Sequence, residues 1–102
     1  MGWGCLHSDL PLKSIEADFG EGPVTVYFKD MNVRQRKLII AARERGGGQD
    51  AVMESFMIRS RDSTGLRMFK ESDRSRVETQ FDPDEIDRVV IEMNKRDDPA
   101  GN

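Results

Sequence analysis

Two short runs of alternating apolar and polar residues, separated by glycines and a proline, constrain the fold of this chain most. The apolar members are Ile15, Ala17 and Phe19 in the first run, and Val24, Val26 and Phe28 in the second. A period of two places such side chains on one face of a β-strand. Residues 20–23 between the runs are Gly-Glu-Gly-Pro, which tight turns favour. The sequence therefore predicts a β-hairpin whose apolar face needs a cover, because an isolated hairpin is only marginally stable in water.

A helix is predicted to follow the hairpin and to provide part of that cover. Asn32 and Gln35 stand at the spacing of a capping box, so the helix should begin after Asn32. It should end near Arg45, because the glycines at 46–48 would each cost about 1 kcal/mol inside a helix. Apolar residues occur on more than one side of it, whereas a surface helix normally carries one apolar stripe. The pattern indicates either a second contact surface or a helix enclosed within its own core.

Weaker patterns occupy the segment that follows. A second helix is predicted from Asp50 to about Ser60, and residues 62–65 fit a β-turn with Asp first and Gly fourth. Residues 66–69 are ambiguous and are compatible with a short strand. Residues 73–80 are predicted to form one or two helical turns.

The last predicted helix has the best-defined start. Asp82 suits the N-cap, Pro83 suits the first helical turn, and the helix should end near Lys95. Its apolar stripe consists of Ile86, Val89, Val90 and Met93. On its polar side the spacing predicts two ion pairs, Asp84 with Arg88 and Glu92 with Arg96.

The composition indicates one small, sparsely cored domain. Only 23 of the 102 residues are Leu, Ile, Val or Phe, close to the roughly 20% below which chains tend to stay disordered. The predicted fold class is α+β, with an N-terminal β-hairpin packed against three or four short α-helices. The domain is expected to span residues 12–96, between flexible tails at 1–11 and 97–102. Such a protein is expected to rely on partners or on self-association.

Several classes of protein are not favoured. The longest apolar run is Leu38–Ala42, far short of the roughly 20 residues of a membrane helix, and no secretory signal peptide is visible. Cys5 is the only cysteine, so we expect no internal disulfide and a reducing, cytoplasmic environment. Leu6 stands where the N-myristoylation pattern requires Ser or Thr.

Catalysis and cofactor binding also lack a pattern. His7 is the only histidine and lies in the predicted N-terminal tail, where no rigid scaffold would orient it. The glycines at 46–48 are not followed by the Lys and Ser/Thr of a phosphate-binding loop. The acidic residues at 82–87 do not match a calcium loop. We therefore expect a protein that is not an enzyme and that holds no cofactor or metal.

Charge is segregated along the chain. Residues 33–45 contain five Lys or Arg and one Glu, whereas residues 70–87 contain three Lys or Arg and seven acidic residues. The first segment predicts a basic docking face made of Arg34, Arg36, Lys37 and Arg43. Such a face can bind acidic partners or nucleic acid, although a net charge of −3 and few aromatics disfavour nucleic acid.

Apolar residues on the first two predicted helices are candidates for protein binding. Methionine is abundant in the chain, and its flexible side chain suits surfaces that accept varied apolar partners. Core packing explains the same residues equally well. The candidates are Leu38, Ile39, Ile40, Phe56, Met57 and Ile58.

The order of these features resembles the tail assembly chaperones of long-tailed bacteriophages. A short extended run leads into a helix start in VTVYFKDMNVRQR at 24–36. An apolar helix then leads to an acidic turn, a glycine and an aromatic in DAVMESFMIRSRDSTGLRMF at 50–69. An amphipathic helix closes the similarity in FDPDEIDRVVIEMN at 81–94. These are patterns of residue class, and they cover residues 12–95.

The resemblance implies a non-enzymatic role in phage tail morphogenesis. Members of the family are thought to bind the tape-measure protein, keep it in solution and recruit tail-tube subunits. We expect the same partners here, together with homo-oligomers in the cytoplasm of a bacterial host. Two alternatives remain open at this point, a structural tail or head–tail joining subunit retained in the virion, and a small nucleic-acid-binding regulator that uses residues 33–45.

Overall fold

The computed structural model describes residues 12–97, and within them a β-hairpin and α-helices form the predicted α+β fold. A single 3-10 turn at Glu71–Asp73 precedes the third helix. The strands are β1 (Lys13–Asp18) and β2 (Pro23–Phe28), and the helices are α1 (Val33–Gly46), α2 (Gly48–Arg59), α3 (Arg74–Gln80) and α4 (Pro83–Arg96). The N-terminal tail predicted at 1–11, with Cys5 and His7, lies outside the described residues.

The hairpin pairs its strands as the alternating pattern predicts. The strands are antiparallel, and the register sets Ile15 opposite Val26 and Ala17 opposite Val24. At the turn, a carboxylate oxygen of Asp18 accepts hydrogen bonds from the backbone N–H groups of Gly20 and Gly22. Both glycines have a positive φ, 108° and 105°, which residues with a Cβ rarely adopt. The turn therefore holds the register that presents the apolar face to the helices.

One hydrophobic core joins the hairpin to α2, α3 and α4. At its centre four phenylalanine rings contact one another, with centroid separations from 5.1 to 6.4 Å. These rings come from the end of the hairpin, from α2, from the loop before the 3-10 turn and from the residue after α3. They are Phe19, Phe56, Phe69 and Phe81. Aromatic packing of this kind concentrates much buried area in few residues, which suits a chain with few large apolar side chains.

The start of α1 is confirmed and its end is displaced by one residue. The side chain of Asn32 accepts from the backbone N–H of Gln35, and the Gln35 side chain accepts from the backbone N–H of Asn32. The helix continues through Gly46, and α2 begins at Gly48, two residues before the predicted start. Gly47 alone separates the helices with a φ of 88°. This positive φ, which glycine adopts without a Cβ clash, lets the chain change direction between the two helices at a single residue.

The connection between α2 and the 3-10 turn contains a turn but no strand. The β-turn at 62–65 is confirmed, since the N–H of Gly65 donates to the carbonyl of Asp62 at 2.9 Å. The strand considered at 66–69 does not form. A single bridge joins Arg67 to Arg61, which is bridged in turn to Tyr27 of β2. Each bridge consists of a single residue pair, which is too short to form a β-ladder.

The final helix has the predicted cap but different ion pairs. The Asp82 side chain accepts from the N–H of Asp84, and Pro83 occupies the first turn. Arg88 binds Glu85 rather than Asp84, and Arg96 donates to the carbonyl of Ser14 rather than pairing with Glu92. Arg88 also donates to the carbonyl of Glu16. The predicted pairs are wrong because β1 lies beside α4 and offers backbone acceptors that helix spacing does not reveal.

Candidate protein-binding surface

Helix α1 lies outside the hydrophobic core. Its only buried residue is Ala42, and the core cluster of the described residues contains no side chain from it. Its main packing partner is α2. A helix of 14 residues that buries one alanine gains little from the apolar burial that normally stabilises helices in proteins. Most of its surface remains available to another molecule.

Three large apolar side chains of α1 are exposed. The exposed fractions are 69% for Val33, 45% for Leu38 and 48% for Ile40, while Ile39 is half-buried. At about 100° per residue, Leu38 and Ile40 lie about 160° apart around the helix axis. They therefore belong to opposite flanks of α1, separated by the side that packs on α2. This agrees with the sequence pattern, in which apolar residues occur on more than one side of the helix, and the structure shows that both flanks are exposed.

Three other contact candidates belong to the interior, which corrects the sequence interpretation. Phe56 and Met57 are fully buried, and Ile58 is nearly so. Helix α2 packs against α1 on one side and against α4 and the rest of the core on the other. Because α2 is covered from both sides at these three positions, Phe56, Met57 and Ile58 have no exposed face. Apolar spacing could not separate them from α1, because both helices show apolar residues in several directions.

The four cations of the predicted basic docking face are exposed on α1, but they do not share one side of the helix. Arg34, Arg36, Lys37 and Arg43 are all exposed, and among residues 12–97 none of them takes part in a salt bridge. Cations elsewhere do so, as in the pair of Arg74 with Glu54. The positive charge of α1 is thus available to an external partner. Arg34 lies on the Leu38 flank, whereas Arg36 and Arg43 lie on the Ile40 flank.

A groove of about 240 Å³ runs along the Ile40 flank, between α1, α2 and the second half of α4. We call it the basic groove, because Arg36 and Arg43 are among its lining residues. Its apolar lining is contributed by Met31, Ile39, Ile40, Ala51, Val52 and Val90. An apolar lining with a cationic edge suits a polypeptide that carries both apolar and acidic side chains.

A second groove of about 340 Å³ lies between α2, α3 and the first half of α4. We call it the acidic groove, because Glu78 and Asp87 lie at it. Its apolar lining includes Val52, Met53, Val77, Phe81, Ile86 and Ile91. Val52 lines both grooves, so they adjoin each other at this residue, one with acidic and the other with basic lining side chains.

A buried arginine is the polar feature that sequence analysis missed. Arg59 is fully buried at the end of α2, and its guanidinium donates to Asn94, to the carbonyl of Lys29 and to Asp97. Its carbon lies 5.5 Å from the ring centroid of Phe28. Arg59 stands three residues after Phe56, on the same face of α2, and this spacing was the sequence feature that could have indicated its burial. The pairing shows that Asp97 belongs to the domain, although the sequence placed it in a flexible tail.

The shifted pKa values belong to contacts that hold the fold. The Arg88 guanidinium, with help from the backbone N–H of Asp18, lowers the pKa of Glu85 to about 2. Arg74 lowers the pKa of Glu71, and hydrogen bonds from Thr64 lower that of Asp62. Each carboxylate is stabilised in its charged form by a neighbouring donor. None of the three belongs to α1 or to either groove.

No helix among residues 12–97 is long and apolar enough to cross a membrane. Across the same residues, no group of three or more His, Cys, Asp and Glu is placed to hold a metal ion. Comparisons with protein-family models, with curated proteins and with solved structures found no match to this chain.

Proposed function

We propose that this protein is a non-enzymatic tail assembly chaperone of a long-tailed bacteriophage, which binds the tape-measure protein and tail-tube subunits while the tail is built. One observation carries the proposal: α1 stands outside the core, and Leu38 is exposed on the flank of this helix that faces away from Ile40. The resemblance of residues 12–95 to that family supports the choice of client. A protein that keeps apolar client helices in solution needs such side chains at its surface.

The Leu38 flank of α1 is the part that we assign to the client. Leu38 is accompanied there by Arg34, Ala41 and Arg45, which share its side at helical spacing and are all exposed. This combination suits an amphipathic helix whose apolar stripe is bordered by acidic side chains. The positive side chains also increase the rate of encounter with such a client at low salt.

The expected binding is weak at each site and strong in sum. Burying one Leu or Ile side chain contributes about 1.5–3 kcal/mol, most of which is needed to offset the entropy lost on association. Several copies bound along one long client would add their contributions through avidity. Coating of this kind is reversible, because each single contact is weak.

Co-expression with the tape-measure protein encoded by the same phage genome tests the proposal. The wild-type protein is expected to increase the soluble fraction of the client, and Leu38→Glu is expected to abolish the increase. Leu66→Glu is the matched control, because Leu66 is also exposed but lies in the turn region after α2. The proposal fails if the wild-type protein leaves client solubility unchanged, or if both variants behave alike.

A nucleic-acid-binding regulator is the second candidate, and the exposed cations of α1 favour it. Phosphate contacts by Arg34, Arg36, Lys37 and Arg43 would make binding fall steeply with salt. Fluorescence anisotropy with labelled duplex DNA and RNA at 50 and 200 mM salt, taken as about the range over which such contacts weaken, separates the two functions. Binding that Arg34→Glu with Lys37→Glu abolishes would support the regulator, and the absence of binding at both salt concentrations would remove it.

A further inference from the structure

We propose that the surface formed by the acidic and basic grooves binds a second copy of this chain, as a two-fold symmetric dimer centred on Ile91. This inference goes beyond the client-binding role of the Leu38 flank and uses a different part of the molecule. It rests on one exposed apolar side chain, on the continuity of the two grooves and on the placement of their charges.

Ile91 is an exposed apolar residue near the middle of this surface, and Ile40 is exposed at the basic groove. The side chain of Ile91 is 57% exposed on α4, although its neighbour Val90 is buried. It lines the acidic groove with Val52, Met53 and Ile86. When a partner excludes water from an exposed aliphatic side chain and from the apolar groove beside it, the burial stabilises the complex.

The two grooves follow one flank of α4 in order. Pro83, Ile86, Asp87 and Ile91 line the acidic groove, whereas Val90 and Asn94 line the basic groove. Ile91 therefore lies where one groove passes into the other, and Val52 of α2 forms part of the floor of both. The surface has an apolar floor along its length, with acidic groups toward the start of α4 and basic groups toward its end.

This arrangement is complementary to itself. A two-fold axis through Ile91 sets two copies of α4 antiparallel, so that the acidic groove of each copy faces the basic groove of the other. Asp87 and Glu78 of one copy would then meet Arg36 and Arg43 of the other, and the symmetry repeats the contacts. Within residues 12–97 none of these four side chains forms a salt bridge, so no partner among these residues neutralises them.

A second copy fits better than a client helix on this surface. A client would need acidic groups at one end of its contact stripe and basic groups at the other, in the correct direction. A second copy carries that pattern by symmetry, and it also supplies Ile91 to the same apolar floor. The Leu38 flank lies on the other side of α1 and stays accessible in this dimer.

Sedimentation velocity over a range of protein concentrations tests the interface. The wild-type protein is expected to dimerise at low salt and to dissociate as salt screens the charges. Ile91→Glu is expected to weaken the dimer at least about tenfold, with an unchanged circular dichroism spectrum because Ile91 is exposed. Leu66→Glu introduces the same charge at another exposed position and is expected to dimerise like the wild type.

Charge reversal tests the pairing itself. Asp87→Arg alone and Arg43→Glu alone are each expected to weaken the dimer, and the double variant is expected to associate more tightly than either. A wild-type protein that is monomeric at all concentrations would overturn the inference, as would Ile91→Glu dimerising normally or a double variant no tighter than the single ones. Binding of an added amphipathic peptide to a monomeric protein would assign the grooves to a client and would also overturn it. The co-expression result with Leu38→Glu is independent of these outcomes.

Discussion

Arg59 and Asp97 close the C-terminal end of the domain, with Nη2 of the arginine 2.5 Å from a carboxylate oxygen of the aspartate. The guanidinium of Arg59 is fully buried. Its charge is therefore stabilised by hydrogen bonds to protein acceptors and not by water. The side chain of Asp97 is about one fifth exposed, at 21%, and supplies the only formal negative charge among the three acceptors of Arg59 found in residues 12–97. The pair links the end of α2 to the residue that follows α4.

Asp97→Asn is expected to destabilise the protein by about 1–3 kcal/mol, because it replaces the charged acceptor of a buried cation with a neutral amide oxygen. Urea denaturation followed by circular dichroism measures the change. Glu44→Gln removes one negative charge from the exposed surface of α1 and is expected to change stability by less than about 0.5 kcal/mol. Equal effects of the two variants would show that the buried pair contributes nothing specific.

The lowered pKa of Glu85 predicts that the free energy of unfolding decreases as the pH is lowered. The pKa is about 2 in the folded protein against an ordinary value of 4.5. Because the folded value is the lower one, the contribution is present above pH 4.5 and is lost as the pH falls toward 2. Glu85→Gln is therefore expected to flatten the decrease in unfolding free energy over this range. Urea titrations at several pH values measure it, with Glu44→Gln as the control that should keep the wild-type slope.

Truncation to alanine is expected to affect stability strongly at Phe56 and very little at Leu38. Phe56→Ala should lower the unfolding free energy by about 3–5 kcal/mol, because it opens a cavity among the packed phenylalanine rings. Leu38→Ala should change it by less than about 0.5 kcal/mol and should reduce client binding instead. Urea denaturation of both variants checks the expectation. A large loss of stability in Leu38→Ala would place that residue in the core and would contradict the client-binding role.

Helix α1 is expected to open more readily than the rest of the domain. It contributes no side chain to the core cluster of residues 12–97, and local opening is easiest where few apolar contacts must be broken. Amide hydrogen exchange should be faster in α1 than in α2 and α4. Asn32→Ala removes the capping box, which contributes about 0.5–2 kcal/mol, and should accelerate exchange in α1 while leaving α4 unchanged. Uniform protection across the helices would contradict this separation.

Features that depend on near neighbours were predictable from the sequence. The hairpin followed from alternation around a glycine-rich turn, and the helix starts followed from Asn32 with Gln35 and from Asp82 with Pro83. Each of these depends on residues within a few positions of one another, so the chain carries the information locally. The exposed basic side chains of α1 were predictable for the same reason, since charged residues rarely tolerate burial.

Features that depend on which elements meet were decided by the tertiary structure. Phe56, Met57 and Ile58 became interior because α2 is covered by α1 on one side and by α4 on the other, whereas Ile40 stayed exposed on a helix with one main neighbour. Arg59 could be buried only because Asp97, distant in sequence, approaches it. The sequence alone determined the local elements and the segregation of charge along the chain. Burial and pairing depended on the approach of distant segments, because the free energy of a side chain is set by what surrounds it in space.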